Sequence, residues 1–165
     1  MKKLAPIVIF LSLLLSVSAV AKKGTSVGQW SAGGHIGYSL GLGGWGGDAH
    51  PTIGLGGFGL YQLRERWSIG GELYFQFTNV TNGSFTNILF LSTYEKKQND
   101  RASMLFLGGG GIYENDFGLN AGVAYRKFTS SSLALMGGAR FHIVFAGDTA
   151  SWLQLFFGVQ YFFGK

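Results

Sequence analysis

Histidines are the residues of this chain best suited to chemistry. Nucleophilic catalysis needs a serine within reach of a histidine that a carboxylate orients. His35 shares one face of a predicted strand with Ser31 and Ser39, whereas His142 lies two positions from Arg140. The 165-residue chain has no cysteine, which excludes a thiolate zinc site, a disulfide-stapled secreted module and a lipidated N-terminal cysteine. We therefore predict that His35 and His142 make interior hydrogen bonds, and we predict no catalytic residue.

Two further motifs look like ligand sites but lack the partners that such sites need. Asp48 and His50 lie in a glycine-rich segment and supply two ligands, fewer than a zinc site uses. The four glycines at 108–111 are not followed by the Lys-Ser/Thr pair of a phosphate-binding loop. No concentrated basic face indicates a nucleic-acid partner. We predict no metal, no cofactor and no nucleic-acid binding.

The elements that position these residues follow from composition and alternation. The chain is 47% hydrophobic and 13% charged, against about 25% charged residues in an ordinary soluble domain. Apolar side chains alternate with polar or glycine residues, which predicts strands with two unlike faces. Five such segments are clear, at 30–40, 67–78, 117–126, 133–145 and 153–163. Three weaker ones, apolar or glycine-rich on both faces, are at 52–63, 85–94 and 102–113.

Strand length distinguishes a membrane barrel from a soluble one. Strands of about 10 to 14 residues, at roughly 3.3 Å per residue and a tilt near 40°, cross an apolar band of about 25 Å. A soluble sandwich or lipocalin-like barrel would instead have to enclose every aromatic ring. We therefore predict an all-β, eight-stranded antiparallel up-and-down transmembrane β-barrel. Its interfacial aromatic residues would be Trp30, Tyr61, Trp67, Tyr94, Tyr125, Tyr161 and Phe163.

The first 21 residues have the layout of a secretory signal peptide. Two lysines precede an apolar stretch, and Ala19 and Ala21 have the spacing that signal peptidase reads. The alternative is an uncleaved anchor, because residues 4–21 just reach the length of a spanning helix. We predict cleavage after Ala21, which leaves residues 22–165 as one barrel domain.

Residues 31–41, SAGGHIGYSLG, and residues 157–163, FGVQYFF, resemble the first and last strands of the small bacterial outer-membrane β-barrel family that includes OmpX and the OmpA transmembrane domain. The resemblance implies residence in the outer membrane, with contacts to lipid and lipopolysaccharide. It also implies that the barrel assembly machinery reads Tyr161 and Phe163, although this chain adds Gly164 and Lys165 after them. Some barrels of this size modify lipid A, but the His-x-Ser pattern of the deacylases is missing at His142.

Charged residues sort by position if both termini are periplasmic. The outward connections then hold only acids, namely Asp48, Glu114, Asp116 and Asp148. The periplasmic ends and turns hold Lys22, Lys23, Arg64, Glu65, Arg66, Glu95, Lys96, Lys97, Asp100, Arg101, Lys127 and Lys165. Glu72, Arg126 and Arg140 remain, and all three fall on the lumen face.

A polar network is predicted inside the barrel, because charges in a narrow lumen must be paired or hydrated. Its members are Glu72, Arg126, Arg140, His35, His142, Tyr74, Gln76, Asn120, Gln154 and Gln160. Inward glycines would make room for the longer of these side chains. Eight strands leave little more than side-chain space, so the network is predicted to seal the barrel rather than conduct. The predicted function is non-enzymatic, structural or surface-interacting, in a monomer; the alternatives are a lipid A-modifying enzyme and a narrow pore.

Overall fold

The structure is a computed structural model that describes residues 26–43, 51–77, 84–147 and 149–163. The predicted cleavage residues Ala19 and Ala21, and also Asp48, His50 and Asp148, lie outside these ranges. The described chain forms eight strands: β1 (Trp30–Gly43), β2 (Thr52–Arg64), β3 (Trp67–Phe77), β4 (Ser84–Asn99), β5 (Ala102–Tyr113), β6 (Asp116–Phe128), β7 (Leu133–Val144) and β8 (Ala150–Phe162).

The eight strands form one closed antiparallel barrel in which each strand pairs with its sequence neighbours. β8 closes the barrel by pairing with β1, so that His35 has Gly158 on one side and Gly56 on the other. This arrangement confirms the predicted up-and-down topology. In the part of the chain that the structure describes, no helix is long and apolar enough to cross a membrane.

Strand β4 is longer than the alternation predicts, and this changes the assignment of one charge. It continues five residues past Tyr94 to Asn99, with Lys96 opposite Met104 and Lys97 opposite Ser103 on β5. Glu95 therefore lies inside the strand instead of in a periplasmic turn. Residues 95–99 are polar or charged, so the sequence there indicates a turn although the backbone continues its ladder.

The two faces of the wall differ as expected for a membrane barrel. Large apolar side chains such as Ile36, Leu73, Phe90 and Phe157 lie on the exterior and are about half exposed. The alternate positions point inward and are buried, polar residues included. An uninterrupted apolar exterior of this kind is typical of a surface that lipid covers.

The two ends of the barrel have different connections. Residues 65–66, 100–101 and 129–132 form short turns at the end that also holds Trp30 and Phe162; we call this the termini end. The opposite end, here the loop end, has the longer connections 44–51, 78–83 and 145–149, together with the two-residue turn 114–115.

Inward glycines leave space for two kinds of neighbour. A Cβ atom at Gly54 or Gly56 would collide with the Tyr74 ring, and one at Gly158 would collide with the β1 backbone and with His35. At Gly70, Gly109, Gly111, Gly122 and Gly138 the obstacle is the backbone of the adjacent strand. Glycine at these sites lets the strands approach closely enough to close a narrow barrel. The outward Gly71 and Gly137 meet no atom closer than 3.5 Å, so packing does not require glycine there.

Candidate functional site in the barrel lumen

A carboxylate, a guanidinium and an imidazole meet in the middle of the lumen. Arg140 on β7 donates from Nη1 to both oxygens of Glu72 on β3, at 3.0 and 2.9 Å. His35 on β1 donates from Nε2 to Glu72 Oε1 at 3.1 Å, since a carboxylate can only accept. All three side chains are almost fully buried. We call Glu72, Arg140 and His35 the central charged cluster.

A second buried ion pair lies toward the termini end. Arg126 Nη2 on β6 is 2.6 Å from Glu95 Oε1 on β4, and both side chains are about 95% buried. Arg126 also donates to Gln160 Oε1 at 3.3 Å, and Gln160 donates to Ser31 at 2.9 Å. The prediction that Glu95 lies in a periplasmic turn is therefore wrong, because β4 carries it into the lumen. We call Glu95 and Arg126 the termini-end charged pair.

Neutral hydrogen bonds close the lumen near the loop end. Asn120 Nδ2 donates to the Tyr113 hydroxyl at 3.3 Å, and that hydroxyl lies 2.9 Å from His142 Nδ1. His142 Nε2 lies 3.2 Å from the Gln154 carbonyl oxygen, which can only accept, so Nε2 carries the proton and Nδ1 accepts from Tyr113. The imidazole also stacks on the Trp152 ring at 5.1 Å.

The remaining predicted lumen residues lie beside these groups. Tyr74 stacks on His35 with ring centroids 5.4 Å apart, and its ring packs over Gly54 and Gly56. Gln76 donates to the Thr52 hydroxyl at 2.7 Å. All ten predicted lumen residues are buried.

An apolar cluster separates the two charged groups. Its members, which we call the apolar plug, are Phe58, Leu60, Leu91, Leu105, Leu107, Ala124, Met136 and Phe156. On β4, Leu91 lies between Glu95 and Leu89, the register partner of Glu72. On β6, Ala124 lies between Arg126 and Gly122, the register partner of Arg140. Leu91 and Ala124 therefore lie between the two charged groups along their strands, and Phe58, Leu105 and Met136 are the register partners of Glu72, Glu95 and Arg126.

Little free volume remains at this level. A cavity of about 10 Å³ is lined by residues of the central cluster and of the plug, with Thr93 and Gln160. A cavity needs at least about 10–15 Å³ to hold one water molecule. The lumen here is packed with side chains.

Sequence reasoning missed three lumen residues that matter here, namely Glu95, Tyr113 and Trp152. Glu95 could have been found by continuing the alternation Asn87, Leu89, Leu91, Thr93 for one more step. Tyr113 could not, because it follows a glycine run in which both faces look alike.

The chemistry available to the histidines is limited. No hydrogen bond joins a serine hydroxyl to His35 or His142 in the described residues; their partners are those given above. Among the same residues, no group of three or more His, Asp or Glu side chains is placed to hold a metal ion. Both imidazoles are inside the barrel wall, away from any lipid on the exterior.

Tyr161 and Phe163, the predicted assembly signal, lie on the exterior at the termini end. Both are about half exposed, and their rings meet edge to face at 5.4 Å. Phe163 donates its backbone N–H to the Trp30 carbonyl at 3.0 Å, beside the closing β1–β8 pair.

Comparison with known proteins gives structural neighbours but no sequence relatives. No family model matches the chain, and no curated protein matches it. A de novo designed transmembrane β-barrel superposes with a TM-score of 0.64 at 15% identity, covering 86% of this chain and all of the designed one. Neisserial surface protein A gives 0.64 at 9% identity, covering 80% of this chain and 96% of that one. Ail, the attachment invasion locus protein of Yersinia pestis, gives 0.58 at 13% identity, covering 84% and 100%.

These neighbours and the apolar exterior confirm the predicted fold. The chain has the fold of these eight-stranded transmembrane barrels.

Proposed function

We propose that this chain is a non-enzymatic outer-membrane protein whose sealed barrel holds its loops at the cell surface, in a structural or surface-interaction role. The observation that carries the proposal is the packed lumen. Two charged groups, each paired within the barrel, lie on either side of the apolar plug, and the loop-end hydrogen bonds close the same space. An ion would have to displace buried, paired side chains in order to pass.

Planar-bilayer recording tests the sealed lumen. We expect purified, refolded protein to give no unitary conductance above that of protein-free bilayers. A variant with the plug opened by Phe58→Ala and Met136→Ala serves as the positive comparison, because it removes two large side chains from the plug. Steady conductance through the unaltered protein would favour the narrow pore instead.

The histidines argue against the lipid A-modifying alternative. An enzyme acting on lipid must present its catalytic groups to the exterior or to a rim, whereas His35 and His142 point into the lumen and are bonded to neighbouring side chains. Mass spectrometry of lipid A from cells with and without the protein decides the matter. We expect identical lipid A species, and any acyl chain lost or gained would establish an enzyme.

The surface role is proposed from loop position. The longer connections all leave the loop end, as extracellular loops do in outer-membrane barrels. Neisserial surface protein A and Ail carry names that refer to the surface and to attachment. Ail also binds the heparin analogue sucrose octasulfate, but the outward connections of this chain contain no lysine or arginine to receive sulfates. We therefore propose surface contact without proposing that ligand, with lipopolysaccharide as the neighbouring lipid.

Export and assembly complete the proposal. We propose that residues 1–21 are cleaved after Ala21 and that the assembly machinery reads Tyr161 and Phe163 in a monomeric barrel. The mature protein should begin at Lys22 by N-terminal sequencing. Tyr161→Ser with Phe163→Ser should lower the amount of protein in the outer membrane, while the matched exterior pair Leu153→Ser and Leu155→Ser, higher on the same strand, should lower it less. Equal losses would remove the terminal aromatics from this role.

A further inference from the structure

Among the described residues of the termini end, the exposed basic side chains lie on one half. Six exposed bases lie on the end of β2, the β2–β3 turn, the end of β4, the β4–β5 turn and the end of β6, namely Arg64, Arg66, Lys96, Lys97, Arg101 and Lys127. The exposed acids among them are Glu65 and Asp100, because Glu95 is turned inward to Arg126. The β6–β7 turn on the other half, residues 129–132, reads Thr-Ser-Ser-Ser and has no charge. We call the six bases the basic arc.

The basic arc borders a band of amphipathic aromatic rings on the exterior. Trp67 packs against Tyr94 with centroids 5.0 Å apart, and Arg66 donates to the Tyr94 hydroxyl at 3.4 Å. Trp30 and Tyr61 form a similar pair at 4.9 Å. Such rings mark the headgroup level of a membrane, so the arc lies where phosphates of the adjoining leaflet would be.

The loop end has the opposite character in both respects. Its described exterior aromatics are mostly phenylalanines, such as Phe77, Phe117 and Phe145, and its described short turn carries Glu114 and is followed by Asp116, the first residue of β6. Because longer loops face outward in this fold, the basic arc faces the periplasmic leaflet, where glycerophospholipids carry the phosphates.

Two lysines of the arc point outward beside a smooth strip of the wall. Lys96 and Lys127 have the exterior parity of Tyr94 and Tyr125, and both are exposed. Two residues above the Tyr94 level, Ser92, Gly108 and Ala121 form one cross-strand row. A Cβ atom at Gly108 would meet no atom within 4 Å, so the row is a shallow depression bordered by the exposed Phe90 and Phe106.

We propose that the basic arc is a binding surface for an anionic glycerophospholipid of the periplasmic leaflet. Its phosphate contacts Lys96 and Lys127, and one of its acyl chains lies on the row formed by Ser92, Gly108 and Ala121. Phosphate attraction and acyl-chain fit act on adjacent parts of one lipid. A zwitterionic phospholipid would fit the same row but would gain less from the lysines.

Quenching of Trp67 fluorescence by brominated lipids measures this preference directly. The reporter protein carries Trp30→Phe and Trp45→Phe, so that Trp67 is the lipid-facing indole, while Trp152 is enclosed in the lumen. It is reconstituted into phosphatidylcholine vesicles that contain brominated phosphatidylglycerol or brominated phosphatidylcholine. One basic side chain at a membrane surface strengthens binding to anionic lipid by about fivefold. We expect a preference for phosphatidylglycerol of about fivefold or more at low salt, decreasing as salt screens it.

Matched variants test whether Lys96 and Lys127 cause the preference for phosphatidylglycerol. Lys96→Gln with Lys127→Gln should bring the ratio of phosphatidylglycerol binding to phosphatidylcholine binding close to one. Lys96→Arg with Lys127→Arg should keep the ratio of the reporter protein. Glu114→Gln with Asp116→Asn alters two charges at the loop end and should leave the ratio unchanged. Heat-dependent gel mobility confirms that each variant is folded. Equal quenching by the two brominated lipids in the reporter protein would overturn the proposal. A preference for phosphatidylglycerol that survives loss of both lysines would also overturn it, as would binding of the arc to peptidoglycan and not to lipid.

Discussion

The central charged cluster and the termini-end charged pair each bury one acid and one arginine, but in different surroundings. Glu72 has two partners, Arg140 and His35, at the middle of the strands. Arg126 lies two residues before the end of β6, and besides Glu95 it contacts Gln160 and lies 5.1 and 5.2 Å from the centroids of the Phe128 and Phe162 rings. The first group is an acid surrounded by donors; the second is a base with several alternative partners.

Despite these different surroundings, charge is balanced within each of the two groups. Each group contains one carboxylate and one guanidinium, so neither has to attract a partner across the apolar plug. A buried charge without a partner costs several kcal/mol, and pairing within a level avoids that cost. The plug can then be filled with leucine and phenylalanine, which seal the lumen between the two groups.

Removing the acid of the central cluster should have the largest effect. In Glu72→Gln the Arg140 guanidinium stays buried without a counter-charge, and its other contact is the Phe156 ring at 5.4 Å. We expect the free energy of unfolding to fall by about 3–5 kcal/mol, measured by urea titration of the refolded protein in detergent micelles.

A double variant separates the lost pairing from general damage. Glu72→Leu with Arg140→Met removes both charges at similar volume, and replacing a buried pair in this way is often neutral. It should recover most of the stability. If Glu72→Gln unfolds at the same urea concentration as the unaltered protein, the central cluster does not stabilise the barrel.

Removing the acid of the termini-end pair should have a smaller effect. In Glu95→Gln, Arg126 keeps Gln160 and the two aromatic rings, and it lies two residues before the end of β6. We expect a loss of about 1.5–3 kcal/mol, the range for a hydrogen bond to a charged group, in the same urea titration. A loss equal to that of Glu72→Gln would mean that the two surroundings do not differ in energy.

The inward direction of the central charged cluster can be predicted from the sequence better than that of the termini-end charged pair, for a physical reason. Glu72 and Arg140 lie in clearly alternating strands, so their inward direction could be predicted. Glu95 could not be placed as readily, because it precedes Lys96 and Lys97 and such a run is typical of a turn. Its inward direction depends on pairing of β4 with β5 through Lys97, a tertiary contact.

Partners across the lumen were beyond prediction as well. Alternation gives the face of a residue but not its height, which depends on the stagger between strands. Glu72 therefore could have faced either arginine on sequence grounds. The apolar plug was hidden for a related reason: Phe58, Leu91 and Leu105 lie on strands with apolar residues on both faces, so the pattern could not separate core from exterior.

Removing Gln160, the uncharged partner of the termini-end charged pair, should lower the free energy of unfolding less than Glu95→Gln does. Gln160→Leu deletes the hydrogen bonds to Arg126 and Ser31 at nearly constant volume, while Glu95 still pairs with Arg126. We expect a loss of about 1.5 kcal/mol, the lower end of the range for a hydrogen bond to a charged group, because the bond from Arg126 to Gln160 is long at 3.3 Å; the same urea titration measures it. A loss larger than that of Glu95→Gln would make Gln160, and not the carboxylate, the main partner of Arg126.

Combining the two acid substitutions should produce the smallest effect, a coupling energy near zero. Glu72 pairs with Arg140 and His35, whereas Glu95 pairs with Arg126, and plug residues lie between them, so Glu72→Gln and Glu95→Gln should add within about 0.5 kcal/mol. If the doubly substituted protein is too unstable to measure, all four proteins of the cycle can be compared with added lipid that stabilises the barrel. A coupling above about 1 kcal/mol would mean that each acid also acts on the distant arginine. The lumen charges would then form one network, and charge balance within each level would no longer explain how the plug separates them.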